Sequence, residues 1–460
     1  MERTPQKILD EVYDLIEGLE NVHGLIKKET EKEISALFAN LAPPDIADLI
    51  DGLDVEKARF VFEILQPPIS SEVIRKVNDS TREDLLKELS QDRLVRIIGE
   101  MESDDAADLI RQLPPDRAQG VLGSLEKKHS EEIRELLKYE EDTAGGLMEL
   151  EIVAVNQGAT VGEAIEAIRK AADQMENIYN VYVVDPKKRL VGVLPLGRLI
   201  LARSEQKVSE IMNRDVISVR QGTDQEDVAN IFQKYDLSAL PVVDEDGKLV
   251  GRITVDDIVD VIQEEASEDI SKMAGTTEDE ITERSSLKIA GIRLPWIITS
   301  LVGGIVSASI LSSFKETLGQ LLALAFFIPV ITAMGGNIGV QSASITVRGI
   351  ALGDINPAKI SLRLLREGRV GLVMGFICGS VIGIVALAWE GSPVLGIVVG
   401  TAMFCAINVA AIMGTLVPLI FKRIGVDPAI ATGPFVTMSN DITGLLIYFG
   451  MATLMLRWLR

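Results

Sequence analysis

The chain has 460 residues, enough for two to four domains of about 150 residues each, so no disulfide staple is needed to hold a core. A formal net charge of −22 and a pI near 4.7 argue against nucleic acid as a partner, because a phosphate binder needs a basic surface. Cys378 and Cys405 lie in apolar stretches with no second ligand at metal spacing, and His23 and His129 lie in polar helical segments, so a zinc ribbon and a His-based hydrolase site are disfavoured.

These averages conceal a split. Residues 1–284 hold 34 Lys and Arg against 62 Asp and Glu, net −28, whereas residues 285–460 hold 12 against 6, net +6. The opening stretch 1–20 is acidic and amphipathic and has no basic-then-apolar signal pattern, so the soluble half is expected in the cytosol.

Residues 1–150 read as helical throughout, with apolar residues at three and four spacing and starts such as Pro43-Pro44-Asp45 and Pro114-Pro115-Asp116. Asp45-Ile46-Ala47-Asp48-Leu49-Ile50 returns sixty residues later as Asp105-Ala106-Ala107-Asp108-Leu109-Ile110. Such an echo predicts an all-α stack of short helices, a small solenoid, which by itself is equally a packing or adaptor module.

Over 151–262 the rhythm changes to short β-branched runs between helices. Asn180-Val181-Tyr182-Val183-Val184-Asp185 with Leu190-Val191-Gly192-Val193 recurs as Leu240-Pro241-Val242-Val243-Asp244 with Leu249-Val250-Gly251-Arg252, at a period of fifty-nine residues. Each copy predicts strand, turn, strand and helix, and the pair resembles a tandem of α/β CBS domains. That resemblance implies self-association and an adenine nucleotide (ATP) held between the copies. The ribose-binding pattern, Thr then Asp three residues on, fits Thr254 and Asp257. Pro195 and Arg198 stand there in the first copy, leaving one nucleotide site per pair, and Thr254 is equally a helix N-cap.

Residues 256–283 hold eleven acids and one base, Lys272, and 263–288 is expected to be an acidic connecting helix. Asp257, Asp260, Glu264 and Glu268 share one face at three and four spacing, opposite an apolar stripe of Ile258, Val261, Ile262 and Ile270. The ordinary account is a solvated face. Its position between a sensor-like domain and the first apolar run favours another: hard cations neutralising the acids would move whatever follows.

From 289 to 460 the uncharged runs 294–314, 317–347, 370–389, 391–421 and 428–456, the last interrupted by Asp441, are each long enough to cross a bilayer, predicting an all-α domain of five spans. With the N-terminus inside, the inner flanks carry Arg284, Lys288, Arg293, Arg348, Lys359, Arg363, Arg366, Arg369, Lys422 and Arg423. The outer flanks carry only Lys315, Arg457 and Arg460, and the C-terminus falls outside.

A carboxylate within a span is a functional candidate by default, and Asp441, expected near mid-depth among Thr437, Ser439, Asn440, Thr443 and Gly444, is that residue. The alternative is a protonated Asp bonding two helices. Pro329 and the run Gly335-Gly336-Asn337-Ile338-Gly339-Val340-Gln341-Ser342 are expected to loosen the second span and expose its carbonyls. With Asn408, Thr432, Gly433 and Pro434 they suggest a hydrated cation path.

That glycine-rich run, Asp427-Pro428-Ala429, and Gly433-Pro434-Phe435 through Asn440-Asp441-Ile442-Thr443-Gly444-Leu445 resemble the MgtE family of magnesium channels, as does the domain order over essentially the whole chain. The resemblance implies a homodimer in the cell membrane, hydrated magnesium held in a central pore by Asp441 of each subunit, and a pore locked by cytosolic magnesium. It also implies sensor acids at Asp104 and Asp108, with Asp105 an alternative register, at Asp224, Glu226 and Asp236, and at Asp257, Asp260, Glu265 and Glu268. No catalytic step is required. An intramembrane aspartyl protease would need a second carboxylate. A regulated carrier for another solute would show inverted repeats, and a membrane-anchored nucleotide sensor would make no use of Asp441.

Overall fold

The computed structural model describes residues 12, 34–38, 41–172, 175, 177–278, 280, 283, 285–353, 355 and 360–455. His23, the 1–20 stretch apart from Val12, Asp279, and the flanking charges Arg284, Lys359, Arg457 and Arg460 lie outside the described residues. The chain divides into two compact units, Met1–Val261 and Ile262–Arg460.

In the first unit eight short helices follow one another: α1 (Pro43–Asp51), α2 (Val55–Ile64), α3 (Pro67–Lys76), α4 (Asp79–Glu88), α5 (Gln91–Ile98), α6 (Ser103–Arg111), α7 (Pro115–Ser124) and α8 (Lys127–Leu136). Proline opens α1, α3 and α7, where its missing N–H would have been unpaired anyway. Asp54 and Ser90 cap α2 and α5 by accepting the backbone N–H groups of Lys57 and Arg93. Helices this short are marginal alone, so burial must hold them. The echoed segments become the buried stripes of α1 (Ile46, Ala47, Leu49, Ile50) and α6 (Ala106, Ala107, Leu109, Ile110). Packing runs largely between alternate helices, α1 on α3, α3 on α5, α5 on α7 and α6 on α8, the stacked arrangement the repeat predicts.

The fifty-nine-residue repeat folds twice in the same way. β1 (Ala154–Asn156) lies parallel to β2 (Asn180–Val184), itself antiparallel to β3 (Leu190–Pro195). β4 (Val219–Arg220), β5 (Ala239–Val243) and β6 (Leu249–Thr254) repeat that order. The registers match, Val183 opposite Gly192 and Val242 opposite Gly251, each followed by an irregularity. Helices α9 (Val161–Ala171), α10 (Leu196–Leu201), α11 (Val208–Ile211) and α12 (Gln225–Tyr235) accompany the sheets. Gly251 is required by close approach, because a Cβ there would stand 2.7 Å from the Glu149 carbonyl. Helix α13 (Val255–Ala274) follows β6 without a break and is stopped by Gly275 at φ +79°.

The second unit contains α14 (Ser286–Ser313), α15 (Lys315–Gln320), α16 (Leu324–Ala351), α17 (Ile360–Glu390), α18 (Pro393–Arg423), a 3-10 turn (Ala429–Ala431) and α19 (Pro434–Leu454). Among the described residues, four helices, α14, α16, α17 and α18, are long and apolar enough to cross a membrane. The fifth expected span, α19, has 21 residues and is diluted by Ser439, Asn440 and Asp441. Helix α18 packs against α16, α17 and α19. Its pairing with α17 is backbone-close, since a Cβ on Gly379 would meet the Gly400 carbonyl at 2.5 Å and one on Gly396 the Gly383 carbonyl at 2.7 Å.

Two expectations need correction. Helix α16 runs unbroken through Pro329 and the glycine run. An apolar setting penalises any unpaired backbone group; Gly335, Gly336 and Gly339 are all buried, and at Gly339 the missing side chain lets Asn440 and Val436 press in. Asn408 belongs to the α17–α18 contact, where its Nδ2 donates to the Phe404 carbonyl at 2.7 Å and the side chain lies against Gly371 and Gly375.

Candidate functional site

The start of α19 is set by a chain of local bonds. Asp427 Oδ1 accepts the Ala429 N–H at 2.8 Å, Thr432 Oγ1 closes the 3-10 turn on the Ala429 carbonyl at 2.5 Å, and Pro434 takes the first helical turn. Thr432, Gly433 and Pro434 therefore build this entry; Gly433 is needed because the Met273 carbonyl lies 2.9 Å from where its Cβ would be. The helix begins at Pro434, so Asp441 stands about 10 Å along it at 1.5 Å per residue, three residues before its midpoint at Gly444.

On α19, Val436, Asn440 and Gly444 form the buried face. Asn440 is 2% exposed, and its side chain fills the notch left by Gly339 on α16. Neither polar atom of the Asn440 amide has a hydrogen-bond partner among the described residues. The half-buried Asp441, one position on, makes no hydrogen bond or ion pair with any described residue. Thr437, in contact range of Gly336, is exposed, as are Asn337 and Gln341 on α16, so polar side chains line the open side of two otherwise apolar helices.

A second carboxylate lies deep in the helices. Glu367, which lies between Arg366 and Arg369 and does not stand out in the sequence, is 7% exposed within α17. It accepts the Ser342 hydroxyl at 3.2 Å and lies 3.5 Å from Arg363 Nη2, tying α17 to the end of the glycine-rich run.

In the first unit, Asp104, Glu149 and Asp257 bring one carboxylate oxygen each within 4.8 Å of one another. Asp104 and Asp257, both named as sensor acids by resemblance, lie together here, and Glu149 is the member that sequence missed, since its segment has neither helical nor strand periodicity. Asp104 is 6% exposed and its Oδ1 has no hydrogen-bond partner among the described residues. Burial, then the charges of Asp105, Asp257 and Glu149, hold its carboxyl well above the usual range. Burial likewise raises Glu149, to about 8, against the pull of Arg252. It raises Asp257 against the Thr254 hydroxyl, which donates to Asp257 Oδ2 at 2.8 Å. The three acids, opposed by Arg252 at Glu149 and by Arg75 near Asp257, form a cluster at which a divalent cation would replace protons.

The other expected acids are placed separately. Asp105 pairs with Arg75 at 2.7 Å and Asp108 with Arg111 at 2.6 Å. Asp224 caps α12 by accepting the Glu226 N–H at 2.9 Å, and Asp236 ends the same helix in the left-handed conformation at φ 50°, so the structure holds these two apart. Asp260 pairs with Lys76 at 3.1 Å, and Glu265 is half-buried on α13.

In the second unit Glu268 meets Lys272 at 2.5 Å, and Lys272 reaches Asp427 Oδ2 at 2.6 Å. Burial and the Asp427 charge push Asp269 up to about 6. Burial lowers Lys272, but its bonds to Asp427 and Glu268 outweigh that and raise it.

Family comparisons agree with this layout. A model described as the MgtE divalent cation transporter matches residues 328–451, one for the MgtE intracellular N domain matches 41–142, and the CBS domain matches twice, at 144–205 and 208–264. The magnesium transporter MgtE of Bacillus subtilis is 35% identical over 429 residues, 93% of this chain and 90% of its own length. The Enterococcus faecalis magnesium transporter MgtE is 43% identical over 327 residues, 71% and 72%. A crystal structure of the cytosolic domain of the Mg2+ channel MgtE in complex with ATP is 38% identical with a TM-score of 0.50, covering 54% of this chain and 99% of that one. A crystal structure of the soluble part of a magnesium transporter is 32% identical, also with a TM-score of 0.50, covering 57% and 100%. With its N domain, CBS pair and apolar helices all accounted for, the chain belongs to the MgtE family of magnesium transporters.

Proposed function

We propose that the protein is a magnesium-selective channel of the cell membrane, a homodimer whose central pore carries Asp441 from each chain, closed when cytosolic magnesium binds its acidic clusters. The observation that carries this reading is Asp441 itself, a half-buried carboxylate among apolar helices with no hydrogen-bond or ion-pair partner among the described residues. Two such groups facing across an axis would offer charge −2 to a cation that sheds its water reluctantly, and Asn337, Gln341 and Thr437 extend a polar wall for that water. Helix α19 is then the fifth span, with the N-terminus inside and the C-terminus outside.

Regulation follows from α13, which carries Asp257 at one end and Glu268 and Asp269 at the other. A divalent ion shared by Asp104, Glu149 and Asp257 fixes the first turn of that helix, and one shared by Glu268, Asp269 and Asp427 fixes the last. Asp108, Asp224, Glu226, Asp236, Asp260 and Glu265 are proposed as further regulatory ligands. An adenine nucleotide is proposed at the CBS pair, supported by the ATP complex of the related cytosolic domain. Its ribose would have to replace the Thr254–Asp257 hydrogen bond.

The test is magnesium flux into proteoliposomes by wild type and Asp441→Asn. Flux should be lost in the variant at unchanged protein level and dimer content; normal flux would remove Asp441 from the pore. Asp104→Asn with Asp257→Asn should conduct but no longer close at high internal magnesium.

A further inference from the structure

Outside the acidic clusters, one further group of metal-ligating side chains converges in the first unit. His129 and Glu132, three residues apart on α8, and Glu151 bring one ligand atom each within 4.8 Å of one another. The imidazole is oriented from behind, its Nε2 lying 3.0 Å from the carbonyl of Ile98, a residue with no exposure. A carbonyl can only accept, so Nε2 donates to it, and the ring nitrogen left to hold a metal is Nδ1, which faces Glu132 Oε2 at 4.0 Å. This backbone support of the far nitrogen is the usual outer partner of a metal-bound histidine. Glu151 is oriented too, its Oε2 accepting the Ser103 hydroxyl at 2.6 Å. Lys128 Nζ reaches the other oxygen of Glu132, at 3.4 Å, leaving Oε2 to the cluster.

We propose that His129 Nδ1, Glu132 and Glu151 form a binding site for a zinc-class divalent ion of the first transition row, separate from the magnesium clusters. One imidazole nitrogen with two carboxylates favours Zn2+ or Co2+, whereas Mg2+ takes oxygen ligands and keeps most of its water. The site shares its scaffold with the acid trio. Ser103, which holds Glu151, directly precedes Asp104, and its Oγ also accepts the Leu150 N–H at 3.1 Å, between Glu151 and the trio's Glu149. An ion at His129 therefore orders the short segment that presents Glu149.

The experiment is equilibrium dialysis of the full chain in detergent against Zn2+ with excess Mg2+ present, and Co2+ absorption spectra of the same samples. Wild type should retain one more Zn2+ per chain than His129→Ala, whose site affinity should fall about tenfold or more. The Co2+ ligand-field bands should weaken with it. Glu151→Gln keeps an acceptor for Ser103 and should lose the ion while keeping the wild-type melting temperature; His23→Ala should retain the ion. Equal Zn2+ in wild type and His129→Ala, or unchanged Co2+ bands, would overturn the site. Because binding is read without flux, this outcome is independent of whether Asp441 lines a pore.

Discussion

Arg252 holds Glu149 at two points, with Nε 2.9 Å and Nη2 2.5 Å from the same carboxylate oxygen, and each side chain retains only 3% of its exposure. Their backbones pair as well, at 2.8 and 3.0 Å, so the segment carrying Glu149 lies along the edge of β6. Removing one partner strands a buried charge. Arg252→Met is expected to destabilise the protein by about 3–5 kcal/mol, whereas Arg252→Met with Glu149→Leu should recover most of that loss. Chemical denaturation of the single and double variants checks this, and equal destabilisation by both would contradict it.

Without magnesium, stability should fall as pH rises. Asp104, Asp257 and Glu149 all have raised pKa values in the fold, Glu149 to about 8, so the folded chain binds more protons than the unfolded one. Their contribution is complete below the ordinary carboxylate range near pH 4 and fades toward pH 8. Magnesium favours the ionised acids, so it should flatten the profile and release protons on binding. Melting temperatures from pH 5 to 8.5, with and without Mg2+, measure both effects; a flat profile in chelator would refute the assignment.

Lys272 is a tethered cation between Glu268 and Asp427. Under the proposed regulation it competes with the divalent ion for these acids. Lys272→Met should leave three acids unopposed and lower the magnesium concentration needed for closure about three- to tenfold, within the usual span of a coupling energy. Flux titrated against internal magnesium gives the shift, and a higher closing concentration would count against the role.

Where α16 meets α18 and α19 at Gly339, there is no room for a methyl group. A Cβ on Gly414 would lie 2.3 Å from the Gly339 carbonyl, and one on Gly339 would lie 1.8 Å from Asn440 Nδ2. Gly414→Ala meets backbone that cannot swing away, and a cost of about 1–3 kcal/mol is expected from overpacking. Gly339→Ala should impair flux and be relieved by Asn440→Ala, because the obstacle there is a side chain. Thermal melts and flux of the double variant decide this; no relief would mean the contact is not the cause.

Much of the architecture was legible from residue order alone. Periodicity and the two internal repeats suffice for the helical stack, the paired three-stranded sheets and the apolar helices, because each depends on spacing within one segment. Asp441 was legible for the same reason, as a charge inside an apolar run.

Tertiary structure alone decided which groups meet. Glu149, Arg252 and Asp257 come together only when β6 pairs with the 149 segment, and Asp104 joins them from a different helix. Asp224 and Asp236, sensors by resemblance, stand at the two ends of one helix, whose span 225–235 the sequence pattern already indicates. Glu367 sits between Arg366 and Arg369 of the basic flank, yet its burial against Ser342 is decided by packing, and the glycine run expected to loosen its helix lies in an unbroken one, with Gly339 giving room to Asn440. Local pattern sets the conformation of a segment, but burial and electrostatics depend on what lies across from it, and that is settled only when distant segments pack.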